Sequence, residues 1–100
     1  MGKPHLEIDE IGLEALSRKY HIRRLALFGS VLRDDFRADS DVDVLVEFQP
    51  GAKVGLSFFS LQEELSKILQ RQVDLSTPGF LSPQIRERVE REAWPVYEAA

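Results

Sequence analysis

An α/β sandwich, a small sheet with helices packed on it, is the fold class that this 100-residue chain predicts. Segments with apolar residues at helical spacing alternate with short apolar runs of strand length, in the order α-β-α-β-α-β-α. Glycine and proline punctuate the joins. A composition of 43% hydrophobic and 30% charged residues suits an ordinary globular core.

Ile8, Ile11, Leu13, Leu16 and Tyr20 recur at near-helical spacing and predict a first helix over about 9–20, with Asp9 placed to cap it. A first strand over about 23–28 ends at Gly29, and a short helix follows from Ser30 to about Asp35 with its N-terminus turned toward any bound anion. The second strand, about 41–48, stops at Pro50-Gly51, and Gly51 to Gly55 reads as a mobile loop. Leu56 to about Gln70 is the clearest helix, with Phe58, Leu61, Leu65 and Ile68 as its apolar stripe and Glu63, Glu64 and Lys67 outside. Phe59 adjoins Phe58 and cannot share its face equally, so it packs on the preceding loop, stacks a base or meets a partner. Val73 to Ser76 is a short third strand broken by Thr77-Pro78-Gly79. Ser82 as N-cap and Pro83 at the first position start a last helix that runs to about Glu92. Pro95-Val96-Tyr97 adds a final short strand or packs an end. The short link between the first two strands leaves parallel and antiparallel pairing open.

Length implies one domain, residues 1–100, small enough to be only marginally stable. No apolar run has the length needed to cross a bilayer, and the start lacks a signal peptide's apolar stretch. Without cysteine there is neither a disulfide framework nor a thiolate metal site, so the cytoplasm is the expected location. A net charge of −4, with Arg23-Arg24 the only adjacent basic pair, argues against an extended nucleic-acid surface.

The chemistry lies in Gly29-Ser30, ten intervening residues, then Asp41-Val42-Asp43. On the second strand, side chains alternate with a period of two, so Val42, Val44, Val46 and Phe48 share one face and Asp41 and Asp43 the other. Two carboxylates so placed repel each other unless a cation lies between them. A hard divalent ion such as Mg²⁺ takes one or two carboxylates and fills its other positions with water and phosphate. A glycine-serine turn offers backbone N–H groups and a hydroxyl to an anion. Cradle and carboxylates together indicate metal-assisted phosphoryl chemistry. Asp74, between Val73 and Leu75, is another polar residue in an apolar strand.

These residues resemble the signature of the nucleotidyltransferase superfamily that includes DNA polymerase β. Leu25-Ala26-Leu27-Phe28-Gly29-Ser30, the strand from Ser40 to Phe48, Arg71 to Leu75 and Arg91 to Tyr97 all look like its smallest branch, the minimal nucleotidyltransferase (MNT) proteins. The resemblance implies the nucleotidyltransferase fold, with a small mixed sheet and flanking helices. It implies that Asp41 and Asp43 bind two Mg²⁺ ions astride the α-phosphate of a nucleoside triphosphate, ATP above all. Asp74 is then the third carboxylate, which completes the metal site on the attacking side and accepts the nucleophile's proton. Gly29 and Ser30 are expected to hold the β- and γ-phosphates. Arg33 is assigned to the nucleotide, with Arg37 the alternative from the same segment and simple solvation the plain reading of either. Ser40 either orients the carboxylates through its hydroxyl or is an ordinary loop serine. Asp34, Asp35 and Asp39 read as surface or capping residues. His5 and His21 are too isolated for a metal site or a general base, and Trp94 and Tyr97 read as packing or as part of a partner contact.

The activity so implied is transfer of AMP from ATP to a hydroxyl. With one domain expected and none beside it to form an acceptor pocket, the acceptor is expected on another molecule. The resemblance supplies one: a tyrosine of a HEPN-domain toxin, with this chain as its antitoxin. Two rivals stand beside it. One is a small-molecule nucleotidyltransferase of the aminoglycoside-modifying kind that borrows its acceptor domain. The other is an antitoxin that neutralises by contact alone, although a pure binder has no reason to keep a repulsive carboxylate cluster.

Overall fold

The computed structural model describes residues 4–99. Its elements are α1 (Glu10–Lys19), β1 (Ile22–Phe28), β2 (Val42–Phe48), α2 (Ser57–Leu69), β3 (Val73–Ser76), α3 (Pro83–Glu92) and β4 (Trp94–Glu98), with one-turn 3₁₀ segments at Gly29–Leu32 and Pro78–Phe80. The strands form one sheet in the order β3-β2-β1-β4. β1 pairs antiparallel with β2 and with β4, whereas β2 and β3 run parallel, so the sheet is mixed, as the resemblance implies. β2 and β3 are joined through α2, the helical crossover that a parallel pair requires.

Period-two alternation drives one face of the sheet into the main core. Leu25 and Leu27 on β1, Val42, Val44 and Val46 on β2, and Val73 and Leu75 on β3 are buried together with Leu13 and Leu16 of α1 and Leu61, Leu65 and Leu69 of α2. Leu69 is more buried than Ile68, because a 3.6-residue period carries the stripe round by one position over three turns. The other face is not bare: Ala26 and Leu45, opposite each other in register, are also buried. That is the face Asp43 shares with Leu45.

Asp9 caps α1 by accepting from the Gly12 N–H at 2.9 Å, and Ser82 caps α3 by accepting from the Ile85 N–H at 3.4 Å. Gln70 ends α2 in the left-handed region, at φ 55°. Phe58 is half-buried and meets both Phe59 and Phe80 edge to face, at 5.7 and 5.9 Å, and Phe59 itself is 59% exposed. Trp94 stands on the edge strand opposite Leu27 and is also exposed.

One element differs from the expectation. The short helix expected from Ser30 to about Asp35 is shorter and tighter: the chain closes a single 3₁₀ turn, Gly29–Leu32, and Arg33 is already extended at φ −112°, ψ 155°. The Arg33 N–H donates to the Ser30 carbonyl at 2.9 Å, which closes the turn, and the His5 N–H takes the Val31 carbonyl at 2.8 Å. With that carbonyl used from outside and two adjacent aspartates following, helix propagation stops.

Candidate active site

β1 delivers the chain to the site. Phe28 is the register partner of Asp43, so the turn that follows begins beside that carboxylate. Gly29 has φ +77°, where a side chain is strained, and a Cβ there would overlap Asp43 Oδ2 and come within 3.3 Å of its Cγ. Backbone angle and space both demand glycine. The main chain of the Gly29-Ser30 turn therefore lies against the Asp43 carboxylate.

The parallel pairing of β2 and β3 sets Asp74 directly beside Asp43 in register, on neighbouring strands. Strands lie about 4.8 Å apart, so two carboxylates on one face crowd each other. Asp41 precedes β2 by one residue and adds a third negative charge. Asp43 is half-buried, while Asp41 and Asp74 are exposed. Burial pushes the Asp43 carboxyl above its ordinary value, and the charges of Asp74 and then Asp41 push it further; the Arg33 guanidinium opposes them. Among the described residues no ion pair neutralises any of the three. Nor do any three acidic or imidazole groups there converge closely enough to enclose a metal ion by themselves. The donor set, all carboxylate oxygen and open on one side, is of the kind a hard divalent cation shares with phosphate and water.

The remaining candidates fall into place around it. Ser30 is half-exposed in the turn. Arg33 is exposed and lies 3.6 Å from Asp35, a contact loose enough to exchange for a phosphate. Arg37 is exposed, and its main chain, not its side chain, is engaged: its N–H donates to Ser40 Oγ at 2.9 Å, and the Ser40 N–H donates back to its carbonyl at 3.1 Å. The Ser40 hydroxyl thus closes the loop as an acceptor. Asp34 lies 3.4 Å from His5 at the surface.

Arg71, given no role of its own in the sequence reading, reaches this loop as well. Its Nη1 donates to the Arg37 carbonyl at 2.9 Å and to the Ser40 carbonyl at 3.4 Å. An arginine just ahead of the strand that carries Asp74 was the available signal. A cleft of about 800 Å³ lies between the segment His5–Asp9 and the end of α2, and none of the three aspartates lines it. It has no part in the carboxylate site.

Comparison with known proteins places the chain in a family. The nucleotidyltransferase domain pattern matches residues 10–94. Protein adenylyltransferase MntA of Thermococcus cleftensis is 36% identical over 77 residues, which are 77% of each chain. A solved minimal nucleotidyltransferase superposes with a TM-score of 0.72 at 36% identity, covering 86% of this chain and 87% of that one. The solved complex of a tri-AMPylated Shewanella oneidensis HEPN toxin with MNT antitoxin contains a chain that matches at 21% identity and a TM-score of 0.63, over 90% of this chain and 70% of that one; this likeness is one of fold. The chain belongs to the nucleotidyltransferase domain family, in its minimal branch.

Proposed function

We propose that this nucleotidyltransferase-domain protein moves AMP from ATP onto a tyrosine hydroxyl of a HEPN-domain toxin and so acts as its antitoxin. The observation that supports it most directly is the half-buried Asp43 carboxylate, flanked by Asp74 in register and by the Gly29 turn. Gly29 and Ser30 hold the β- and γ-phosphates, with Arg33 within reach from the next segment. Asp41, Asp43 and Asp74 would hold the Mg²⁺, two ions by the resemblance, and the metal would supply positive charge to the triphosphate. The acceptor oxygen forms its bond to the α-phosphorus, the bond to the bridging oxygen breaks, and pyrophosphate leaves. Asp74 is exposed beside Asp43, where it can take the proton of the acceptor hydroxyl. Positioning and electrostatics supply nearly all of the rate.

The acceptor and the antitoxin role draw on the relatives. One similar protein is named a protein adenylyltransferase, and one solved complex pairs an AMPylated HEPN toxin with an MNT antitoxin. Such a reaction belongs in the cytoplasm, where ATP is available. No helix among the described residues is long and apolar enough to cross a membrane.

The test is incubation with α-labelled ATP, Mg²⁺ and a HEPN protein encoded beside this chain, followed by intact-mass analysis of the partner. Mass added in steps of one AMP is expected. Asp41→Asn should slow it more than about 100-fold, the scale on which one preorganised electrostatic group matters. If the variant still neutralises the toxin in full, contact and not transfer is the function.

A further inference from the structure

Asp41 lies just outside β2, so the ladder does not begin until its neighbour. The peptide units on either side of it are gripped by two consecutive residues. Before it, the Ser40 carbonyl accepts from Arg71 Nη1 at 3.4 Å; after it, the Val42 N–H donates to the Gln72 carbonyl at 2.9 Å. The same Nη1 makes its shorter bond, 2.9 Å, to the Arg37 carbonyl. The guanidinium carbon stands 4.6 Å from the centre of the Phe36 ring. Three points of the loop between Gly29 and Asp41 therefore rest on one half-buried side chain. That side chain sits two residues before β3, which carries Asp74.

The loop needs such a hold. It has no ladder of its own, only local turns: Arg33 N–H to the Ser30 carbonyl at 2.9 Å, Phe36 N–H to the Arg33 carbonyl at 3.2 Å, and the turn closed between Arg37 and Ser40. The charges at Asp43 and Asp74 push Asp41 away from them. Nη1 has an N–H for each carbonyl while the planar guanidinium lies against the ring; a lysine ammonium has donors for the carbonyls but no flat face to stack.

We propose that Arg71 is a positioning residue for nucleotidyl transfer: its guanidinium, bonded to the carbonyls of Arg37 and Ser40 and stacked on Phe36, sets Asp41 against Asp43 and Asp74. The inference rests on the reading of those three aspartates as the metal-binding set. Arg71 touches no reacting atom.

Arg71→Lys and Arg71→Gln, with Phe36→Leu as a milder variant that removes only the stacking surface, test it on the full chain. Three quantities are read: Mn²⁺ binding by electron paramagnetic resonance, kcat and KM for ATP, and the metal-free melting temperature. Losing a group that orients a metal ligand typically costs about 10–100-fold in metal affinity or activity. The expected result is a weakening of Mn²⁺ binding by about 10-fold and a similar fall in kcat, with KM for ATP within about twofold of wild type. Arg71→Lys should rescue only in part, because it keeps the charge and the donors but loses the planar face on Phe36. Variants that melt lower yet bind Mn²⁺ and turn over like wild type would overturn the proposal and leave Arg71 a plain loop staple. If the Arg71 variants do not fold, Phe36→Leu decides, with weaker Mn²⁺ binding for the proposal and unchanged binding against it. Wild-type protein that binds Mn²⁺ in an Arg71-dependent way but transfers no AMP would sink the proposed activity and leave the positioning role standing. Wild-type protein that binds no Mn²⁺ would overturn both.

Discussion

At Gly29 the chain needs a positive φ of 77° and, at the same atom, the absence of any side chain, because a Cβ would overlap the Asp43 carboxylate. Gly51 separates the two demands: its φ is +83°, but a Cβ there meets nothing within 4 Å. Gly51→Ala should therefore cost only the left-handed backbone penalty, about 1–2 kcal/mol, and leave transfer intact. Gly29→Ala should cost more than that in a denaturant titration and abolish transfer in an initial-rate assay, since it displaces Asp43. Equal effects of the two substitutions would mean that the carboxylate does not rest on the turn. At this scale much was legible. Asp41 and Asp43 stand out because aspartate at alternate positions in a valine strand offends β propensity unless something uses it. Arg71 was not legible as a contact. Its bonds reach back across more than thirty residues to main-chain carbonyls, and no periodicity marks such a bond.

Between elements, the hold of α1 on α2 includes a polar clasp: the Tyr20 hydroxyl donates to Glu64, and Lys19 reaches the same carboxylate at 3.1 Å. The hydrogen bond to Glu64, then burial, then the charge of Glu64 push the Tyr20 hydroxyl from 10.0 up to about 12. The bonds from Tyr20 and Lys19 hold Glu64 below its ordinary 4.5. The signs follow by linkage. Stability from Tyr20, whose folded value is raised, is whole below pH 10 and lost as pH climbs through about 12. Stability from Glu64, whose folded value is lowered, is whole above its ordinary 4.5 and lost as pH falls through the folded value. Tyr20→Phe should thus lower the melting temperature by a few degrees near neutrality, with the deficit shrinking toward both extremes; a deficit constant across pH would refute the clasp. Helix identities were readable from the sequence, down to the Ser82 cap, because periodicity and capping are local. The 3₁₀ turn at Gly29–Leu32 was not, since the Val31 carbonyl that halts it is taken by His5, a residue far back in the chain.

For the whole molecule, the like charges at Asp41, Asp43 and Asp74 mean that the metal-free protein carries a repulsion that a ligand relieves. Mn²⁺ or Mg²⁺ with ATP should stabilise it by about 2.7 kcal/mol at a hundredfold excess over Kd. In a domain of this size that is a rise on the order of 10 °C in melting temperature. Asp41→Asn or Asp43→Asn should remove most of the rise, and Asp43→Asn should also raise the ligand-free melting temperature, as loss of a half-buried, repelled charge requires. A melting curve indifferent to metal and nucleotide would contradict the assigned site. The fold class was readable from the sequence because helical and strand periods alternate so plainly. The strand order was not, because the directions of pairing depend on contacts between segments that are remote in sequence.

That strand order also has a temporal meaning. β1 lies inside the sheet, with one neighbour supplied after a short loop and the other only after α2, β3 and α3 have been made. Closing the near pair costs little chain entropy and closing the far one much more, so the β1–β2 pair has the head start in folding. The loop from Gly29 to Asp41 lies within that near pair, so Gly29 and Asp43 come together early, while β4 closes the sheet at the end. A chain released from the ribosome before β4 is made would present the open edge of β1, with its unpaired N–H and C=O groups, to any neighbouring strand.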